Sequence, residues 1–150
     1  MYQMLRNIAT ELETALDITC NVFPYLKTVM EPQITLIPTG TSLYLRGAGK
    51  SAENNDDAEI FYTFRLELNA LGNSEELVES FYLADEKCDK LFSKRLGMMI
   101  VNSKPSCTVE FKKKVNGGTY GSPLPEQETG NAVYVFTEIW ECIIKYLTYV

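Results

Sequence analysis

The last stretch of the chain, Ala132 to Val150, is one uninterrupted run of strand-forming residues. Tyr134, Phe136, Trp140, Cys142, Ile144 and Tyr146 fall on one side of it, and Val133, Val135, Ile139, Ile143 and Leu147 on the other. Extended at about 3.3 Å per residue it would span roughly 60 Å, against about 17–20 Å for an ordinary strand. Such a strand is expected to bend, to be split in two by a bulge, or to pair with or pack against a neighbouring subunit. Its aromatic residues Tyr134, Phe136, Trp140 and Tyr146 suit core and interface packing better than a ligand cage. With Tyr120 and Leu124 from the preceding loop, they form the candidate subunit or partner interface.

Upstream, the hydrophobic spacing changes period. Leu5, Ile8, Ala9, Leu12, Ala15 and Leu16 recur at helical intervals and predict an amphipathic helix over Tyr2 to Asp17. Prolines 24, 32 and 38 then punctuate a mixed stretch, in which Gln33 to Ile37 reads as a short strand and Ser42 to Arg46 as a second strand or its continuation. Gly47 to Ala58 is an acidic loop without periodicity. Ile60, Tyr62, Phe64, Leu66 and Leu68 alternate with Phe61, Thr63, Arg65, Glu67 and Asn69, which predicts a strand with one face in the core.

A second amphipathic helix is predicted from about Ser74 to Leu96, with Asn73 as N-cap, Glu76 completing a capping box and Gly97 closing the end. Leu77, Phe81, Ala84, Cys88, Leu91 and Phe92 make its apolar stripe. Met98 to Val101 and Thr108 to Val115 read as a hairpin, and Asn116 to Asn131, rich in glycine and proline, as a projecting loop. The resulting expectation is an α+β fold. One domain, residues 1–150, would hold a mostly antiparallel or mixed sheet packed by two helices, with long projecting loops.

Composition narrows the chemistry. A chain of 150 residues can bury roughly 68–70% of its unfolded surface, enough for one core. The net charge of −6 removes the sequence-independent attraction to phosphate backbones, so free nucleic acid is a poor partner. Cys20, Cys88, Cys107 and Cys142 stand far apart and the chain has no histidine, which excludes the usual structural zinc patterns and the commonest general base. Cys88 and Cys142 fall on the apolar faces of their predicted elements, which suits a reducing cytosol better than a disulfide scaffold. Neither a signal-peptide core nor a run of about 18 apolar residues long enough for a membrane span is present, so no membrane role is expected. No cofactor is implied.

Two short motifs invite chemistry. Gly47-Ala48-Gly49-Lys50-Ser51 resembles the end of a phosphate-binding loop, but the leading glycine position holds Tyr44 and acidic residues follow. Glu110-Phe111-Lys112, with Asp57 upstream, is similar to half of the PD-(D/E)xK nuclease motif, in which paired carboxylates hold magnesium. Simple strand alternation accounts for the same residues. Lys112-Lys113-Lys114 is read as the solvated edge of a strand.

The order of elements resembles that of the tail-terminator proteins of long-tailed bacteriophages. The resemblance is carried by the helix Tyr2–Asp17, the strand Ile60–Ala70, the capped helix Ser74–Leu96 and the strand Asn131–Tyr149. It implies a structural, non-enzymatic virion protein of the neck, assembled in the host cytoplasm as a homo-oligomeric, hexameric ring. One face of such a ring stops growth of the tail-tube protein, the other docks on the head connector, and genome DNA passes through without specific binding. Other head–tail completion proteins have similar size and composition. A nuclease or a protein-binding adaptor domain are the readings from other classes.

Overall fold

The final run is a single strand, β6 (Tyr134–Thr148), and it lies in the middle of a sheet. The computed structural model describes residues 2–23, 31–45, 58–72, 74–120 and 134–148. In chain order the other elements are α1 (Tyr2–Leu16), β1 (Thr19–Val22), β2 (Gln33–Leu45), β3 (Ala58–Gly72), α2 (Glu75–Phe92), a 3-10 turn (Lys94–Gly97), β4 (Met98–Val101) and β5 (Cys107–Tyr120). The six strands form one sheet in the order β1-β2-β3-β6-β5-β4, parallel only between β1 and β2. This is the expected α+β fold, a mixed sheet packed by two helices.

Length in β6 is matched by length in its neighbours. β3 pairs with it without interruption from Ala58↔Thr148 to Gly72↔Tyr134, and β5 pairs with it from Thr108↔Lys145 to Tyr120↔Val135. The bulges that release strain in long strands fall on β5, at Phe111/Lys113 and Val115/Gly118, and on β2, at Pro38/Gly40. β6 is therefore neither split nor, from Val135 to Lys145, left with a free edge to offer a neighbour. β5 also runs on to Tyr120, so the first residues of the expected projecting loop, Asn116 to Tyr120, are strand. The rest of that loop and most of the acidic loop at Gly47 to Ala58 lie outside the described residues.

Other boundaries moved for local reasons. β2 continues through Pro38 because β1 accompanies it only from Gln33 to Leu36; beyond that no strand among the described residues pairs with its outer side, where a missing N–H is tolerated. The α2 N-cap is Ser74, not Asn73: it sits in extended backbone and its hydroxyl accepts from the Leu77 N–H at 3.2 Å, so Glu76 is not at the capping-box position. The helix proper ends at Phe92, where the Ser93 N–H donates to the Asp89 carbonyl at 3.1 Å. Gly97 closes the following 3-10 turn at φ +76°.

Both helices pack on one side of the sheet. Met4, Leu5, Ile8, Leu12 and Leu16 of α1 and Leu77, Phe81, Cys88 and Phe92 of α2 share a core with Ile34 and Leu36 of β2, Phe64, Leu66 and Leu68 of β3, Val109 of β5, and Phe136, Trp140, Cys142 and Ile144 of β6. Alternation puts the intervening strand residues on the other face, which no helix among the described residues covers.

Candidate functional site

Tertiary folding draws together a group of charges that are scattered in sequence. The bulge at Lys112 shifts the phase of β5, so that Lys114 stands opposite Trp140 on the helix side of the sheet. Its ammonium donates to Asp85 Oδ1 at 2.9 Å and Asp89 Oδ2 at 3.1 Å, one helical turn apart on α2, and lies 3.9 Å from Glu138 Oε2 on β6. Burial works against the charged lysine, but the hydrogen bonds to Asp85 and Asp89 outweigh it and hold its pKa above the ordinary value. A nucleophilic or basic lysine needs the opposite shift. The cluster is an electrostatic clamp that ties α2 to β5 and β6.

The interface residues expected from sequence divide into two groups. Phe136 and Trp140 are each only 4% exposed and belong to the subunit's own core, which corrects their placement on a partner surface. Phe136 meets Phe81 at 5.5 Å between ring centres, and Trp140 takes the edge-to-face contact of Phe92 at 5.3 Å. They point inward because the helices cover the even-numbered side of β6. Tyr134 and Tyr146 lie on β6 and Tyr120 ends β5, but their side chains, like the whole of Leu124, fall outside the described residues.

Glu110 and Lys112 do come together, on the uncovered face of the sheet. The Glu110 carboxylate receives Lys112 at 3.2 Å and Lys145 at 3.0 Å. Hydrogen bonds from Lys145 and then Lys112 hold its pKa below the usual carboxylate range. Two lysines thus neutralise one of the paired carboxylates that the nuclease arrangement would need for magnesium. Among the described residues no group of three or more His, Cys, Asp or Glu is placed to hold a metal ion. Asp57 and the Gly47–Ser51 segment lie outside them.

All four cysteines are free and buried. Burial pushes the Cys88 thiol up to about 12 and the Cys107 thiol up to about 11, and raises Cys20 and Cys142 as well. None has the low pKa and access of a nucleophilic thiol.

Sequence reasoning missed the surface. Met98 and Ile100 of β4 stand 41% and 60% exposed, opposite Glu110 and Thr108 on the uncovered sheet face. Ile143, Ile139, Val115 and Phe61 continue that face as half-buried residues. On the opposite side of the molecule, Tyr82 and Leu83 of α2 are 51% and 54% exposed. The signal was present in Met98 and Ile100, which share a face by alternation, but which side of the sheet the helices would take was not in the pattern. No helix among the described residues is long and apolar enough to cross a membrane. No protein-family model matches the sequence, and no curated protein matches it either.

Proposed function

We propose that the chain is a structural subunit of a long-tailed phage neck, a tail terminator that closes with copies of itself into a hexameric ring between tail tube and head connector. The observation that carries this reading is the two-layer architecture. Among the described residues both helices occupy one face of the sheet, and the other, with Met98, Ile100, Ile143 and Phe61, carries no helix. Met98 and Ile100, 41% and 60% exposed on the edge strand β4, are the apolar surface that this face offers for protein association. Charge supports the same role: a subunit carrying −6 gives a ring whose lumen does not bind DNA through counterion release, so a genome can slide through it. The reactive groups described above are occupied in structure: Lys114 is clamped, Glu110 is doubly paired and the cysteines are buried.

Native mass spectrometry and electron microscopy test the reading. A closed ring, alone or on the end of a tail tube, is the expected result; monomers under both conditions would overturn it.

A further inference from the structure

β1 ends the sheet, and no strand among the described residues pairs with its outer edge. The Phe23 N–H donates to the Leu36 carbonyl at 2.9 Å, so the odd-numbered residues of β1 direct their main-chain groups to β2. Cys20 and Val22, at the alternate positions, turn N–H and C=O outward. One of these donors already has a partner. The Cys20 N–H donates to Glu13 Oε1 at 2.9 Å, where the carbonyl of a further strand would stand.

Outside that edge runs a groove of about 400 Å³ between β1 and the side of α1 that carries Tyr2, Arg6 and Glu13. Tyr2 is 54% exposed, and the Arg6 guanidinium stands 5.9 Å from the centre of its ring. Arg6 has no ion pair among the described residues. Glu13 lies about 10 Å further along the helix, turned to the Cys20 N–H, so Arg6 is the open charge at the other end of the groove.

We infer that this groove takes an extended segment of a partner protein, which adds a strand to β1 and sets a carboxylate against Arg6. The outward main-chain groups select the conformation. A helix has its N–H and C=O groups bonded internally, whereas an extended chain presents both at the repeat of the strand. Arg6 selects the charge of the segment. From Tyr2 to Glu13 the helix rises about 16 Å, room for about five extended residues. On binding, a carbonyl of the segment replaces Glu13 on the Cys20 N–H. The inference does not depend on the ring reading, because it concerns a different surface.

Two acetylated and amidated pentapeptides, Val-Thr-Val-Thr-Glu and Val-Thr-Val-Thr-Lys, test the groove by NMR titration of the full chain. The glutamate peptide is expected to shift the amide signals of Cys20 and Val22 and to bind about tenfold more tightly than the lysine peptide. Arg6→Glu, a change at an exposed position, is expected to reverse that order. Glu13→Ala should tighten binding of the glutamate peptide by freeing the Cys20 N–H. Methylating alternate peptide nitrogens separates strand addition from capture of side chains: one alternate set faces β1 and its methylation should abolish binding, while the other set tolerates it. Equal binding by both methylated forms, equal binding of the two charges, or shifts confined to other residues would overturn the inference. So would the absence of binding by either peptide at millimolar concentration.

Discussion

The Lys114 ammonium sits 5.1 Å from the centre of the Trp140 ring, directly across the β5–β6 register from it. The indole face favours the cation, and the same ammonium is shared by Asp85, Asp89 and Glu138. One lysine therefore joins the edge of the sheet to α2 over a tryptophan that completes the core.

Replacing that lysine should show the clamp directly. Lys114→Met removes the cation and leaves Glu138, only 5% exposed, beside two aspartates. Breaking a fully buried pair costs about 3–5 kcal/mol; with the Lys114 side chain 31% exposed, a loss of about 1–3 kcal/mol is expected. Urea unfolding measures it. Because the folded pKa of Lys114 is raised, its contribution is complete below the ordinary lysine value of 10.5 and fades as pH rises through the folded value. Parent and variant should accordingly converge in stability at strongly alkaline pH.

Trp140→Ala discriminates core from interface. A tryptophan 4% exposed in the isolated subunit should cost about 3–5 kcal/mol on truncation, whether or not the protein is assembled. Thermal unfolding of the monomer reads the loss. A variant with unchanged monomer stability but impaired assembly would return Trp140 to the interface.

How much of this was legible in the sequence depends on which physical signal each residue carried. Period-2 alternation from Tyr62 to Leu68 and helical spacing from Leu77 to Phe92 named the correct inward residues, because both patterns depend on local geometry alone. β1 escaped notice because Thr19–Val22 is four residues long and takes its register from β2, a partner distant in sequence. Trp140 was legible as a buried aromatic, but not which copy's core it fills. The clamp at Lys114 was hidden by the bulge at Lys112, since strict alternation through three lysines does not place the third one over α2.

Cysteine accessibility gives a direct check on the absence of thiol chemistry. With all four thiols buried and their pKa values raised, a disulfide reagent at neutral pH should label none of them in the native protein and all four in denaturant. Rapid labelling of the native chain would identify a reactive site.

Gly97→Ala should destabilise through the backbone. At φ +76° an alanine is strained, and its Cβ would stand 2.9 Å from the Phe111 carbonyl oxygen and 3.2 Å from that of Phe92. A loss of about 1–3 kcal/mol is expected, roughly 2–4 °C in Tm for each kcal/mol in a chain of this size. A Tm equal to the parent's would show that the turn before β4 relaxes without cost.

Glu110→Gln separates an ion pair from a metal ligand. The carboxylate lies between Lys112 and Lys145 on the uncovered face, and its pKa is lowered first by the Lys145 hydrogen bond and then by that of Lys112. A lowered folded value means that its contribution is present above the unfolded glutamate pKa and is lost as pH falls through the folded value. The side chains of the two pairs are 21–48% exposed, so the contribution is small, about 0.2–1 kcal/mol, and screened by salt. The variant should therefore be slightly less stable than the parent at neutral pH and equal to it in acid, with the difference shrinking in high salt. Magnesium should leave the Tm of both unchanged beyond its effect as salt. A magnesium-dependent rise in the parent that the variant lacks would make Glu110 a metal ligand and bring back the nuclease reading.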